Sequence, residues 1–153
     1  MKRWERWGFN LMAAAVAVTG FVYFWMKNFL ASSDPFAVVN HPWEATMLHL
    51  HVLTSPAFIL IFGIILNSHI IRKLGASKMP NRKSGLSSLI LFATMLGSGY
   101  LLQVATDAAW LRGLVAVHVG SGAAFSITYV IHLIVSARLG RRRPAVSSIR
   151  EVA

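Results

Sequence analysis

Six histidines stand at positions 41, 49, 51, 69, 118 and 132 of a 153-residue chain that contains no cysteine. Five of them, His49, His51, His69, His118 and His132, lie in long apolar runs with no Asp, Glu, Lys or Arg from Ala45 to Ile71 or from Gly113 to Ala137. An ionisable side chain inside such a run is costly and calls for a partner or a function. Imidazole is the commonest metal ligand among side chains. Two imidazoles on facing helices supply what a six-coordinate haem iron requires. The lack of cysteine removes disulfides, thiolate metal sites, iron–sulfur clusters and covalent haem attachment.

Helix phase sorts these histidines. At about 100° per residue, His51 and His69 return to one face, as do His118 and His132, whereas His49 falls about 160° away from His51 and His69. Pro56 removes a backbone bond and can kink the helix between them. The later helix carries a stripe of His118, Gly122, Phe125, Tyr129 and His132; the earlier one carries His51, Ser55, Phe58, Phe62, Ile65 and His69. Each stripe has a histidine at either end, aromatic side chains between, and a small residue one turn from the outer histidine. Gly97, Gly99, Gly120 and Gly122 would let a flat macrocycle approach the backbone.

Depth suggests pairs. His51 follows Glu44 and His118 follows Arg112 at similar distances, roughly 10 Å below an outer boundary. His69 and His132 lie near the inner one, before Arg72 and Arg138. The expectation is two levels, His51 with His118 and His69 with His132, holding two haems b, with a single haem as the lesser reading. The levels would be ~21 Å apart on one helix and ~27 Å on the other, a mismatch left to tilt or to Pro56. Arg72, Lys73 and Arg138 are candidate partners for inner propionates and Arg112 for outer ones. His49 is a bystander or a support behind the ligands. His41 with Glu44 is interfacial, with a quinone or partner contact as the sharper reading. The competing class is a non-redox membrane anchor or small transporter whose histidines bond between helices. Zinc is a poor fit to two separated levels without acidic partners, and a transport path would want Asp or Glu at mid-membrane.

The elements that position these residues are legible in the composition. The chain is 56% hydrophobic and 13% charged, with mean hydropathy +0.58. Those values fit one small integral membrane domain. Four uncharged runs, Trp7–Met26, Ala45–Ile71, Ser84–Thr106 and Gly113–Ala137, each reach the roughly 20 residues that cross a bilayer. The first is longer than a signal-peptide core and is expected to be retained. The predicted helices span 7–29, 45–71, 84–106 and 110–137. The predicted domain is 1–143, with a short cytoplasmic tail over 144–153.

The net charge of +10 reflects topology rather than nucleic-acid binding. With the N-terminus inside, every Lys and Arg except Lys27 and Arg112 falls on the cytoplasmic side, as the positive-inside rule requires. Both termini are then cytoplasmic. Short connections, including a basic loop over 75–83, imply an all-α, up-down four-helix transmembrane bundle. Trp4, Trp7, Trp25, Trp43 and Trp110 lie near segment ends, where an aromatic belt would place them. No internal repeat is expected beyond the histidine-bearing similarity of the second and fourth helices.

Histidines on the second and fourth of four short helices, the motif HLHV followed by GILNSHIIRK, and the stretch DPFAVVNHPWEATMLHLHVLTSP resemble the small bacterial di-haem membrane b-type cytochromes. That group is similar to the cytochrome b subunits of respiratory dehydrogenases and hydrogenases. The resemblance covers roughly Trp7–Arg138, although its second-helix histidine spacing is longer than the family pattern. It implies His51, His69, His118 and His132 as axial ligands. It also implies a location in the bacterial inner membrane and electron relay between the quinone pool and a periplasmic redox partner, such as a cytochrome c or an iron–sulfur protein. The expected role is an electron-transfer subunit of a larger oxidoreductase rather than a self-sufficient enzyme.

Overall fold

A computed structural model describes residues 2–71 and 82–141, and among the described residues every regular element is a helix and none is a strand. The elements are α1 (Arg3–Phe29), α2 (Glu44–Ile65), α3 (Arg82–Leu102) and α4 (Ala108–Arg141). A π-helical turn, Leu66–Ile71, continues α2. Three helices, α1, α2 and Ala108–Val135 of α4, are long and apolar enough to cross a membrane; the apolar part of α3, Leu86–Leu102, is shorter. The chain divides into two compact units, residues 1–82 and 83–153, each a helical hairpin. Arg72, Lys73, most of the expected basic loop and the tail over 144–153 lie outside the described residues.

Local chemistry sets the helix ends. Glu5 folds back so that its Oε2 accepts from the Lys2 backbone N–H at 2.7 Å, which starts α1 before the apolar run begins. After Phe29, Asn40 donates from Nδ2 to the Lys27 carbonyl at 2.8 Å, satisfying one of the orphan acceptors of a helix C-terminus. Asp34 builds the intervening turn, its Oδ1 accepting from Phe36 N–H at 2.9 Å, the local bonding Asp favours in turns. Asp107 caps α4, its Oδ1 accepting from Ala109 and Trp110 N–H at 3.0 and 2.9 Å. That is the N-cap geometry short acidic side chains favour.

α2 runs unbroken through Pro56. The disturbance in this helix comes later, at the π turn that contains His69. Each π-type turn takes an extra residue relative to an α turn, so the phase relating His69 to His51 differs from that of a regular helix.

Within each unit the helices are antiparallel. In the first, Lys27 meets Glu44, Phe9 meets Phe58 at 5.3 Å and Phe62 at 6.2 Å between ring centroids. In the second, Phe92 meets Phe125 at 5.9 Å, and Phe125 stacks on Tyr129 at 6.3 Å. Phe9, Phe58, Phe62, Phe92 and Phe125 are buried, yet Trp7, Leu53 and Leu60 are about two-thirds or more exposed. Helices apolar on all sides with so much uncovered apolar surface suit lipid as solvent.

Candidate functional site

The two hairpins hold one histidine each in the same way. In the first, the imidazole of His51 on α2 lies against α1, with Nδ1 2.9 Å from the Val16 carbonyl oxygen. A carbonyl can only accept, so Nδ1 carries the proton and donates. Thr19 Oγ1 lies 3.5 Å from the same nitrogen and is itself turned to the Ala15 carbonyl at 2.7 Å. In the second hairpin, Nδ1 of His118 on α4 lies 3.0 Å from the Met95 carbonyl oxygen of α3. Ser98 Oγ sits 3.4 Å from that nitrogen and donates to the Thr94 carbonyl at 2.7 Å.

A helical carbonyl points along the axis toward the residue four positions on, so a side chain approaching it must pass that residue's Cβ. Glycine occupies that position in both hairpins. A Cβ on Gly20 would stand 2.7 Å from Cε1 and 2.9 Å from Nδ1 of His51. On Gly99 it would stand 2.8 Å and 3.1 Å from the same atoms of His118. The close approach that requires glycine here admits an imidazole to a backbone oxygen.

In a neutral ring, the Nδ1–H bond fixes the tautomer that carries its lone pair on Nε2. Metal-bound histidines characteristically donate their other ring N–H to a carbonyl or carboxylate in this manner, which orients the ring and raises its basicity. Both side chains are part-buried, on helices long and apolar enough to span a bilayer. These two residues fit neutral nitrogen ligation.

The other candidate residues are placed differently. His49 and His132 are exposed, as are Arg112 and Arg138. His69 lies in the π turn, and its side chain is outside the described residues. A Cβ on Gly97 or Gly120 would meet nothing within 4 Å, and on Gly122 only Met95, with Sδ at 3.5 Å. Among the described residues no three His, Cys, Asp or Glu side chains gather as a metal-ion site would need.

Glu44 is buried and engaged: its Oε1 lies 2.9 Å from Lys27 Nζ, and its Oε2 accepts from Asn40 N–H at 3.0 Å. His41 accepts from the Trp43 N–H through Nδ1 at 3.1 Å. This cluster ties the end of α1 to the start of α2. An open hollow at the start of α4 is lined by Ala109, Trp110, Gly113, Leu114 and Val117.

Val16, Thr19, Gly20, Met95 and Ser98 are not singled out by histidine phase. The available signal is the triplet Thr19-Gly20-Phe21 matched by Ser98-Gly99-Tyr100, one in each helix that faces a histidine. No family model, curated protein or solved structure matches the chain.

Proposed function

We propose that this chain is a b-type cytochrome subunit that carries electrons between the two faces of a bacterial inner membrane, with both termini cytoplasmic. Its ligands would be His51, His69, His118 and His132, serving two haems. The quinone pool and a periplasmic redox protein would be its exchange partners. The observation that carries the proposal is the repeated Nδ1–H bond from His51 and His118 to a helix carbonyl inside apolar hairpins. In a neutral ring that bond selects the tautomer with its lone pair on Nε2, the form that haem iron requires.

A bis-imidazole haem supplies a coordinatively saturated one-electron centre, suited to outer-sphere transfer. The chain's own part is to orient each imidazole within its hairpin, through the Val16 carbonyl for His51 and the Met95 carbonyl for His118, on helices apolar enough to keep it from water. Exposed Arg112 and Arg138 are available to charged groups at the two helix ends.

One observation favours a second reading. The His51 and His118 bonds are themselves interhelical hydrogen bonds, which a non-redox membrane anchor could use for stability alone. Substitution separates the two. In a cytochrome, His51→Asn and His118→Asn lose haem, measured per chain as the pyridine haemochrome. In an anchor, the protein is colourless and Asn, whose amide can still donate to the carbonyl, is tolerated in yield and helicity.

A further inference from the structure

The two histidine settings agree in more than their central bond. Along α2 and α4, Trp43, His51, Val52, Thr54, Ala57 and Phe58 fall in constant register with Trp110, His118, Val119, Ser121, Ala124 and Phe125. The hydroxyls keep the same bonds. Thr54 donates to the carbonyls of Leu50 and His51 at 2.7 and 3.3 Å. Ser121 donates to those of Val117 and His118 at 2.7 and 3.2 Å. Along α1 and α3, Val16, Thr19, Gly20 and Phe21 match Met95, Ser98, Gly99 and Tyr100 in a second constant register. Each matched pair on these helices holds the same place relative to its histidine: carbonyl acceptor, hydroxyl neighbour, missing Cβ. Phe58 and Phe125 each also meet a ring across their hairpin, Phe9 and Phe92, although those two partners stand one helical turn apart in this register.

Chance similarity of apolar helices would reproduce composition, since Val, Ala and Phe are common in such segments. It would not reproduce a histidine, a hydroxyl and a glycine in the same three-way contact on two separate helix pairs. We propose that the chain is a tandem duplication of one histidine-bearing hairpin, in which Thr19–Gly20 and Ser98–Gly99 are equivalent positioning pairs. They fix His51 and His118 as the same tautomer with the same atom, Nε2, offered as ligand. His69 and His132 stand outside this plan, since their register counterparts are Ser136 and Ile65. The sequence similarity of the hairpins therefore extends well past the histidines themselves, contrary to the expectation from the sequence.

The consequence for function rests on the cytochrome proposal: two equivalent imidazoles, each held by glycine and carbonyl, are positioned before any ligand arrives. Glycine is the sensitive element. A methyl at position 20 or 99 meets the ring well inside van der Waals contact, so the ring must rotate away and surrender its carbonyl.

The test uses the full chain with 15N-labelled histidine in detergent micelles. Long-range 15N–1H correlations report the tautomer of each ring without haem, and the low-spin ferric EPR signal reports ligation with it. In the unsubstituted chain both His51 and His118 should show the Nδ1–H form. Gly20→Ala should abolish that form at His51 alone, and Gly99→Ala at His118 alone. Gly63→Ala, which meets nothing within 4 Å, should change neither. If either glycine variant loses its helical circular dichroism, Thr19→Val and Ser98→Ala carry the test, each shifting the Nδ1 resonance of its own histidine only. Haem bound with tautomers and EPR signal unmoved by these variants overturns the positioning role. Loss of the Nδ1–H form on schedule in a chain that never binds haem supports the positioning role and overturns the cytochrome proposal.

Discussion

Removing Lys27 tests whether the cluster of Lys27, Asn40 and Glu44 is a structural tie or a chemical site. The Glu44 side chain is 4% exposed and that of Lys27 48%, with 2.9 Å between Nζ and Oε1. Exposed ion pairs contribute about 0–1 kcal/mol, whereas taking one partner from a fully buried pair costs about 3–5 kcal/mol. This pair lies between those limits. Without Lys27 the carboxylate keeps the Asn40 N–H, and water can enter where the half-exposed ammonium stood. Lys27→Met should therefore cost about 2 kcal/mol. Glu44→Gln retains an acceptor for Asn40 and should cost about 1 kcal/mol. The double variant leaves no buried charge, so its cost should fall below the sum of the singles by more than about 1 kcal/mol. Reversible unfolding in mixed detergent micelles, followed by helical circular dichroism, measures all three. Strict additivity, or a Lys27→Met cost below about 0.5 kcal/mol, would refute the structural tie. A Glu44→Gln chain of unchanged stability that no longer exchanges electrons with quinone would return Glu44 to the chemistry.

Other consequences are local. Asn40→Ala removes the side-chain donor at the end of α1 and should cost about 1 kcal/mol in the same unfolding assay. Phe58→Ala empties a buried position, 3% exposed, beside Phe9 and Phe62 and should cost about 3–5 kcal/mol. Leu60→Ala, on the outward side of the same helix, should cost much less, and equal costs would mean that α2 presents a different face to α1. Asp107→Ala deletes the cap of α4 and should lower stability by about 1 kcal/mol, with faster hydrogen exchange confined to the first turn.

Uncharged runs mark where helices must be, because a backbone in lipid satisfies its own polar groups only by forming one. They place α1, α2 and α4 within a few residues. The ends depend on contacts the runs do not encode: Glu5 returning to Lys2 starts α1 early, and Asp107 ends the third segment by capping the fourth helix. Hydropathy treats the third run as a full span, yet its helix stops at Leu102. The π turn at Leu66–Ile71 is invisible to any analysis that assumes a uniform helical repeat. His51 and His118 were legible as the costly residues of apolar runs. Their partners were not, since a carbonyl has no letter in the sequence and Gly20 lies far along the chain from His51. Helix phase within α2 and α4 shows which histidines share a face. It is silent on α1 and α3, where the duplicated cradle is completed.

The most direct measurement is a reduced-minus-oxidised visible spectrum of the protein purified from haem-sufficient cells, with haem per chain from the pyridine haemochrome. A di-haem cytochrome gives a sharp or split b-type alpha band at about two haems per chain, as two bis-histidine centres require. One haem per chain, lost on replacing His51 or His118, would keep electron transfer and remove the inner pair from the ligand set. A colourless protein with intact helices would contradict the cytochrome assignment and leave the histidines as the bonds that hold each hairpin together.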